Sequence, residues 1–93
     1  MKIVGRQRLH DFTRKHADTR SWISAWVAEV EAANWKSPAE LKARYPKASI
    51  LGEDRYIFDI RGNNYRLQVQ VRFQESVILI ERLGTHAEYD KWT

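Results

Sequence analysis

The sequence lacks cysteine, has only two prolines and four glycines, and contains no long apolar run. Without cysteine there is no disulfide framework, no thiolate nucleophile and no zinc site with cysteine ligands. No stretch approaches the roughly 20 apolar residues of a membrane span, and the opening MKIVGR is charged too early for a secretory signal. We therefore predict no membrane partner and a cytoplasmic location, although a cysteine-free chain is also compatible with an oxidising compartment.

The sequence does contain enough apolar material for one small core, together with an excess of positive charge. Its 93 residues are 43% hydrophobic and include four tryptophans, which predicts a single globular domain over residues 1–93. Sixteen basic residues against twelve acidic ones give a net charge of +4 and a pI near 9.6. A polyanion is the natural partner for such a chain, but net charge alone does not decide this because many basic proteins bind none.

The first half of the chain has the apolar spacing of helices. A short β-prone segment, Lys2–Val4, precedes a first helix. Asp18 or Thr19 can cap a second helix. The apolar stripe of this helix is broad enough to pack against a flat surface and consists of Trp22, Ile23, Trp26, Val27, Val30 and Ala33. The segment Ser37–Glu40 has the pattern of a capping box with proline at the first helical position, and predicts a third, short helix.

The second half alternates between β-prone segments and tight turns. Four strands are predicted, over Ser49–Leu51, Tyr56–Arg61, Tyr65–Phe73 and Val77–Leu83. The turns between them, including Gly62-Asn63-Asn64, are so short that successive strands must be antiparallel neighbours. We therefore predict an α+β domain, with N-terminal helices packed on one face of an antiparallel β-sheet meander.

The third predicted strand alternates regularly between apolar and polar residues, which assigns its side chains to two faces. One face carries Tyr65, Leu67, Val69, Val71 and Phe73, and the other carries Arg66, Gln68, Gln70 and Arg72. The apolar face should cover the helices, and the second face should be polar, basic and exposed. The ordinary interpretation of such a polar row is solubility and protection against edge-to-edge pairing.

Reactive side chains are concentrated where the last strand ends. The segment His86–Lys91 brings an imidazole, two carboxylates, a phenol and an ammonium into six residues. Arg61 and Arg66 flank a turn at the same end of the sheet, and the last strand returns Arg82 and then His86 to that end. A guanidinium fork there can bind a phosphate, and the imidazole can exchange a proton near neutral pH. The ordinary interpretation is a helical turn capped by Thr85 and Glu88, with Tyr89 and Trp92 packed back on the core. The two interpretations are compatible, because a cap would hold His86 in a fixed position.

Other kinds of chemistry have little support in the sequence. His10 and His16 are six residues apart, so they do not share one helix face, and no carboxylate pair accompanies them. Neither a glycine-rich phosphate loop nor a serine nucleophile motif is present. We therefore predict no metal and no cofactor, and expect any reaction to depend on acid–base side chains and arginine.

Three segments together resemble a known family. They are HADTRSWISAWVAEVEAANWKSPAELKARYPKASIL, YIFDIRGNNYRLQVQVRF and LGTHAEYDK. They are similar to the HigB-type toxins of bacterial type II toxin–antitoxin modules, which belong to the RelE-like group of mRNA interferases. The resemblance extends from about Leu9 to Lys91, and GNNYRL and GTHAEYDK at their relative spacing are its most specific motifs. It implies a RelE-like single domain.

The resemblance also implies an activity, which is ribosome-dependent cleavage of mRNA without a metal. In this reaction the 2′-hydroxyl of the RNA attacks the adjacent phosphate, which requires a base, an acid and positive charge around the transition state. Arg66, in GNNYRL, is then the predicted phosphate clamp, and His86 and Tyr89 are candidates for proton transfer or base stacking. Further RNA contacts are predicted at Lys36, Arg61, Asn64, Arg72 and Lys91.

One position departs from the pattern of this group. Its members often have a basic residue and then an aromatic one after the isoleucine of the last strand, whereas Ile80 is followed here by Glu81 and Arg82. An acid at position 81 stands where a cation is usual, and the role of Glu81 is open at this point.

The partners implied by the resemblance are a cognate antitoxin and mRNA on the ribosome. The alternative function is a non-catalytic protein- or RNA-binding module, in which the sheet edges dock a partner by strand or helix addition. Direct DNA binding by this chain is not predicted, because the sequence has neither a helix-turn-helix nor a lysine-rich recognition helix.

Overall fold

The computed structural model describes residues 1–62 and 64–92, so that Asn63, in the predicted turn, lies outside the described residues. The helices are α1 Arg6–Lys15, α2 Arg20–Ala32, α3 Pro38–Arg44 and α4 His86–Tyr89, with a 3₁₀ turn at Ala17–Thr19. The strands are β1 Lys2–Val4, β2 Ser49–Gly52, β3 Arg55–Ile60, β4 Tyr65–Arg72 and β5 Val77–Thr85.

The five strands form one mixed sheet in the order β1-β5-β4-β3-β2. Strands β2 to β5 are the predicted antiparallel meander, because each short turn returns the chain beside the strand that it has just left. Strand β1 lies outside β5 and pairs with it in parallel, Lys2 opposite Val77. The predicted α+β class, with helices on one face of a meander, is confirmed.

The core lies between α2 and the apolar face of the sheet. Within the predicted stripe of α2, Ile23, Trp26 and Val30 are buried, whereas Trp22, Val27 and Ala33 are partly buried at its margins. The predicted inward residues of β4, Leu67, Val69 and Val71, have no exposed surface. Alternation along a strand thus identified the core face correctly.

The helix starts were predicted with mixed success. Thr19 occupies the N-cap position of α2, but its hydroxyl donates to the carbonyl of His16 at 2.7 Å and caps no helix amide. The reason is the 3₁₀ turn that leads directly into α2. At α3 the predicted cap is present, since the hydroxyl of Ser37 accepts from the amide of Glu40 at 3.4 Å.

The second face of the sheet is polar as predicted, but the expectation that its whole row is exposed was wrong. Arg66 and Gln68 are only 8% and 6% exposed, whereas Arg72 at the far end of β4 is exposed. Helix α4 lies against β4 and β5, and pairing with neighbouring charged groups compensates the two polar side chains. No helix among the described residues is long and apolar enough to cross a membrane.

Candidate active site

The candidate site centres on a contact between an arginine and a histidine. Nη2 of Arg66, on β4, lies 3.0 Å from Nδ1 of His86, the first residue of α4. A guanidinium can only donate hydrogen bonds, so Nδ1 accepts, and the neutral imidazole then carries its proton on Nε2. The side chain of His86 is 52% exposed, and its Nε2 is 4.0 Å from Oδ2 of Asp90. The Nε2–H group is therefore available to a ligand.

The guanidinium of Arg66 is held on several sides. Its Nε lies 3.3 Å from Oδ1 of Asp59, the cross-strand neighbour on β3, and its Nη1 donates to the carbonyl of Tyr65 at 3.3 Å. The guanidinium carbon lies 5.2 Å from the centre of the Tyr89 ring, within cation–π range. Arg66 is therefore a buried cation in a fixed position, and not a mobile surface arginine.

Helix α4 is anchored by the predicted capping box, which is complete. The hydroxyl of Thr85 accepts from the amide of Glu88 at 3.1 Å, and the carboxylate of Glu88 accepts from the amide of Thr85 at 2.8 Å. The hydrogen bond from the Thr85 amide lowers the pKa of the Glu88 carboxyl. The amide of His86 also donates to the carbonyl of Asn64 at 3.1 Å, so that the turn before β4 and the end of β5 jointly position the imidazole.

Two aromatic rings of the C-terminal turn cover the polar face. Tyr89 and Trp92 meet edge to face at 5.5 Å, and the guanidinium of Arg82 lies 4.5 Å from the centre of the Trp92 ring. The prediction that these rings pack on the core was wrong. They cover Arg66 and Arg82 on the opposite face, because β5 ends there and the cap directs the chain back over the sheet.

Gly84 allows this close approach. A methyl group on Gly84 would lie 2.9 Å from Cζ2 of Trp92 and 3.1 Å from Cβ of Glu88. Glycine within a strand often marks such a close contact with another segment.

Replacing Gly84 by alanine should displace the C-terminal turn and reduce about tenfold the rate of the RNA cleavage that the family resemblance implies, the cost of a small misplacement of groups in the site. The rate is to be measured beside Gly52→Ala, which has open space around its Cβ but a φ of +87°. That control should lower the free energy of unfolding by about 1 kcal/mol without changing cleavage. Wild-type cleavage by a folded Gly84→Ala variant would contradict the positioning role of this contact.

A β-bulge in β5 explains where Glu81 lies. Ile80 pairs with Val69 and Arg82 pairs with Gln68, which leaves Glu81 as the extra residue. Because of the bulge, Glu81 and Arg82 both reach the polar face. Nε of Arg55 donates to both carboxylate oxygens of Glu81, at 3.0 and 3.2 Å, and Nε2 of Gln68 donates to Oε1 at 2.8 Å.

These contacts control the ionisation of Glu81. Burial alone would raise the pKa of its carboxyl, but hydrogen bonds from Gln68 and Arg55, together with the charges of Arg55 and Arg82, outweigh burial and lower the pKa. Glu81 therefore lies on the polar face as a carboxylate that is neutralised by its neighbours.

The lowered pKa predicts a pH-dependent contribution of Glu81 to stability. A folded-state pKa below the unfolded value of about 4.5 stabilises the protein above that pH, and the stabilisation is lost as the pH falls through the folded-state pKa. The difference in unfolding free energy between wild type and Glu81→Gln should therefore be largest near neutral pH and shrink in acid. Urea titrations over this range measure it, and a difference that grows in acid would contradict the assignment.

Among the predicted RNA contacts, the structure brings Asn64 and Lys91 to the site. The backbone carbonyl of Asn64 accepts a hydrogen bond from the backbone amide of His86, and Lys91 is exposed two residues after Tyr89. Arg61 is held elsewhere, by a 3.1 Å ion pair with Asp18.

The two remaining predicted contacts lie away from the site. Arg72 pairs with Val77 at the other end of the β4–β5 ladder, six residues or about 20 Å from Arg66. Lys36 is exposed and follows the C-terminal end of α2, where the carbonyl of Val30 accepts from the amino group of Met1 at 2.9 Å. This end of α2 adjoins β1 and the start of β5, so Lys36 is also remote from His86.

Sequence reasoning missed two residues of the site, Asp59 and Trp92, and it placed Arg82 at the correct end of the sheet without giving it a role. Asp59 had a recognisable signal, since an acid in one strand opposite an arginine in the next is a common cross-strand pair. Trp92 lies directly after the terminal motif and had no signal of its own. Within residues 1–62 and 64–92, no group of three or more histidine and acidic side chains has the geometry to hold a metal ion.

The arrangement has the features needed to act on a phosphodiester. It combines a half-exposed imidazole, a buried cation that orients it, a second cation at Arg82, and aromatic ring faces beside them. A donor with a fixed direction next to positive charge can stabilise a developing oxyanion.

Comparisons with known proteins agree with this chemistry. A family model described as HigB_toxin, RelE-like toxic component of a toxin–antitoxin system, matches residues 19–92. Over 95 aligned residues the chain is 26% identical to the mRNA interferase toxin HigB of Escherichia coli strain K12 and to the mRNA interferase HigB of Shigella flexneri, covering the whole chain and 91% of each relative. It is 22% identical to the mRNA interferase HigB of Escherichia coli O6:H1, covering 92% of that protein.

Proposed function

The chain belongs to the HigB toxin family, the RelE-like toxic components of toxin–antitoxin systems, and on this premise we propose that it is an endoribonuclease that cleaves mRNA on the ribosome. The observation that supports the proposal most is the 3.0 Å contact between Arg66 and His86. It gives an exposed imidazole a defined tautomer beside a permanent positive charge, inside the two motifs that are most specific to the family. The mRNA interferase names of the relatives support the same substrate class.

In the proposed reaction the 2′-hydroxyl of one nucleotide attacks the phosphorus that follows it. The bond to the 5′-oxygen breaks, and a 2′,3′-cyclic phosphate and a 5′-hydroxyl are left. Negative charge grows on the non-bridging oxygens as the phosphorus becomes pentacoordinate, so donors and cations aimed at those oxygens lower the barrier. The 2′-hydroxyl must also lose a proton and the 5′-oxygen must gain one.

The side chains can be assigned to these tasks from their contacts. Nε2–H of His86 is assigned to the phosphate, because Nδ1 is occupied by Arg66. Arg66 supplies positive charge and the orientation of the ring, and the carboxylate of Asp90, 4.0 Å from Nε2, is the acceptor assigned to the 2′-hydroxyl proton. The leaving 5′-oxygen takes its proton from solvent, since the neutral imidazole has no second proton to give. Tyr89 covers Arg66 and offers a ring edge to a base. In this assignment Arg66 acts on the phosphate through its charge and through His86, since its own fork is largely buried.

Mapping the 5′ ends of mRNA tests this proposal directly. The wild-type chain and His86→Ala should be compared in a translation system with ribosomes and on the same naked message without them. We expect new 5′ ends inside the translated region for wild type with ribosomes only. Intact messages with wild type would reject the nuclease, and equal cutting of naked RNA would reject the dependence on ribosomes.

Neutralisation by a cognate antitoxin is part of the same proposal. An adjacent open reading frame that encodes an acidic, partly disordered protein is the expected source of that partner. Co-expression with the product of such a frame should restore growth to cells that express this chain, and continued growth arrest despite a stable complex of the two proteins would contradict neutralisation.

A non-catalytic binding module is the second candidate, and exposed sheet edges favour it. Ile50 and Leu51 on the edge strand β2 are about half exposed, and Val4 on the other edge strand is 41% exposed. Apolar residues at an open strand edge are suited to pairing with a partner strand. Growth inhibition that persists fully in the His86→Ala variant would favour this function over the nuclease.

A further inference from the structure

We propose that Arg82 is an RNA-binding residue of the site, which holds a phosphate of the message next to the one that is cleaved. The inference rests on the proposed nuclease function and assigns a substrate contact within it. Three independent features of the structure lead to it, which are the bulge in β5, the pairing of Glu81 and the stacking of Arg82 on Trp92.

The bulge places Arg82 on the same face as the reacting groups. Arg82 pairs with Gln68, and Gln68 lies two residues from Arg66 along the same face of β4. Two residues along a strand correspond to about 7 Å. Arg82 is therefore a close neighbour of the Arg66–His86 pair.

Glu81 would be expected to form an ion pair with its neighbour Arg82, but its other contacts prevent a direct pair. Both oxygens of its carboxylate are occupied by Arg55, and Oε1 also accepts from Gln68. The amide group of Gln68 is thereby oriented, so that its oxygen accepts from Nε of Arg82 at 3.3 Å. Gln68 separates the carboxylate from Arg82 and leaves the positive charge of Arg82 directed to solvent.

Trp92 holds the guanidinium in a defined plane. The guanidinium carbon lies 4.5 Å from the centre of the ring, and Nη2 lies 3.5 Å from the carbonyl oxygen of Trp92. Arg82 is exposed, and its Nη1 has no hydrogen-bond partner within the part of the chain that the structure describes. A planar guanidinium fixed at one edge and open at the other is suited to a phosphate, which accepts hydrogen bonds from such a fork.

The same ring links Arg82 to the rest of the site. Trp92 contacts Tyr89 at 5.5 Å, and Tyr89 covers Arg66. A strand of RNA whose reacting phosphate lies at His86 therefore passes over these rings to reach Arg82, where its neighbouring phosphate meets a cation that forms no ion pair with any carboxylate of the described residues.

The test separates binding from chemistry in single-turnover cleavage of a message on ribosomes, with the toxin in excess. Arg82→Gln should raise the half-saturating toxin concentration by at least about tenfold, the loss of one charge-assisted contact. The maximal rate should change by less than about threefold, since an interaction made equally before and during the reaction affects binding alone. Arg82→Lys, which keeps the charge but loses the fork, should have a half-saturating concentration between those of wild type and Arg82→Gln.

Arg72→Gln is the matched control, because Arg72 is exposed on the same polar face but lies at the far end of β4. It should leave both parameters unchanged, and thermal unfolding should show that all variants are folded. If wild type cleaves and Arg82→Gln has the half-saturating concentration of wild type or of Arg72→Gln, the assignment of Arg82 is overturned while the nuclease function stands. If wild type does not cleave at all, the proposed function fails first and this assignment fails with it.

Discussion

Replacing Arg66 by alanine should reduce the rate of RNA cleavage by about 10³-fold, because the site loses both the orientation of His86 and its buried positive charge. The substitution removes the donor at Nδ1, so that the imidazole is free to rotate and to exchange its tautomer. It also leaves the partly buried carboxylate of Asp59 without its ion pair at 3.3 Å. We therefore expect the free energy of unfolding to fall by about 1–3 kcal/mol as well, the cost of an unpaired polar group.

Single-turnover cleavage and urea denaturation together measure the two effects. Arg66→Lys is the informative companion variant, because it keeps the charge but cannot reach Asp59 and His86 with one planar fork. Compared with Arg66→Ala, it should recover part of the lost free energy of unfolding but little of the lost cleavage rate. A folded Arg66→Ala variant that cleaves at the wild-type rate would remove Arg66 from the mechanism.

Replacing His86 by alanine should reduce the rate of cleavage by about 10²- to 10³-fold, the range found when one hydrogen-bond donor to a developing oxyanion is removed. Its effect on stability should be small, since the side chain is half exposed and the capping box of α4 depends on Thr85 and Glu88 instead. The expected signature is therefore a large loss of maximal rate with an unchanged midpoint of unfolding.

His10→Ala is the matched control for this prediction. His10 is an exposed histidine on α1, and within residues 1–62 and 64–92 no hydrogen bond or ring contact joins it to the site. It should leave cleavage unchanged. Equal rates for His86→Ala and wild type, with both proteins folded and bound to the ribosome, would exclude the imidazole from the reaction.

Much of the fold could be predicted because local patterns determine it. Alternation in β4 identified Leu67, Val69 and Val71 as core, and the short turns required an antiparallel meander. The pattern Thr85-x-x-Glu88 predicted a cap that is present in full. These features depend on residues a few positions apart, so the sequence displays them directly.

The burial of Arg66 could not be predicted in this way. Alternation assigned it to the polar face, which is correct, but its exposure depends on where α4 and Trp92 come to lie. That placement follows from the close approach of Trp92 to Gly84 and from the hydrogen bond between His86 and Asn64. His86 and Asn64 are more than twenty positions apart in the sequence. Contacts between distant segments have no periodic signature in a sequence.

The placement of the other cations illustrates the same limit. Arg61 and Arg66 flank one turn, yet Arg61 pairs with Asp18 on the side of the helices and Arg66 points to the opposite face. Arg72 belongs to the predicted polar row but lies at its far end. The bulge at Glu81 brought Arg82 onto the polar face. Because Glu81 and Arg82 are both charged, the alternation of apolar and polar residues does not reveal that one of them is an inserted residue.

The end chemistry of the cut RNA tests the central claim most directly, that this chain cleaves mRNA by attack of the 2′-hydroxyl at the Arg66–His86 site. A labelled message should be translated with wild-type protein, and its fragments should be analysed for a 2′,3′-cyclic phosphate and a 5′-hydroxyl, with His86→Ala in parallel. We expect these ends with wild type and their absence with the variant. Fragments that carry a 3′-hydroxyl and a 5′-phosphate, or identical fragments from both proteins, would contradict it.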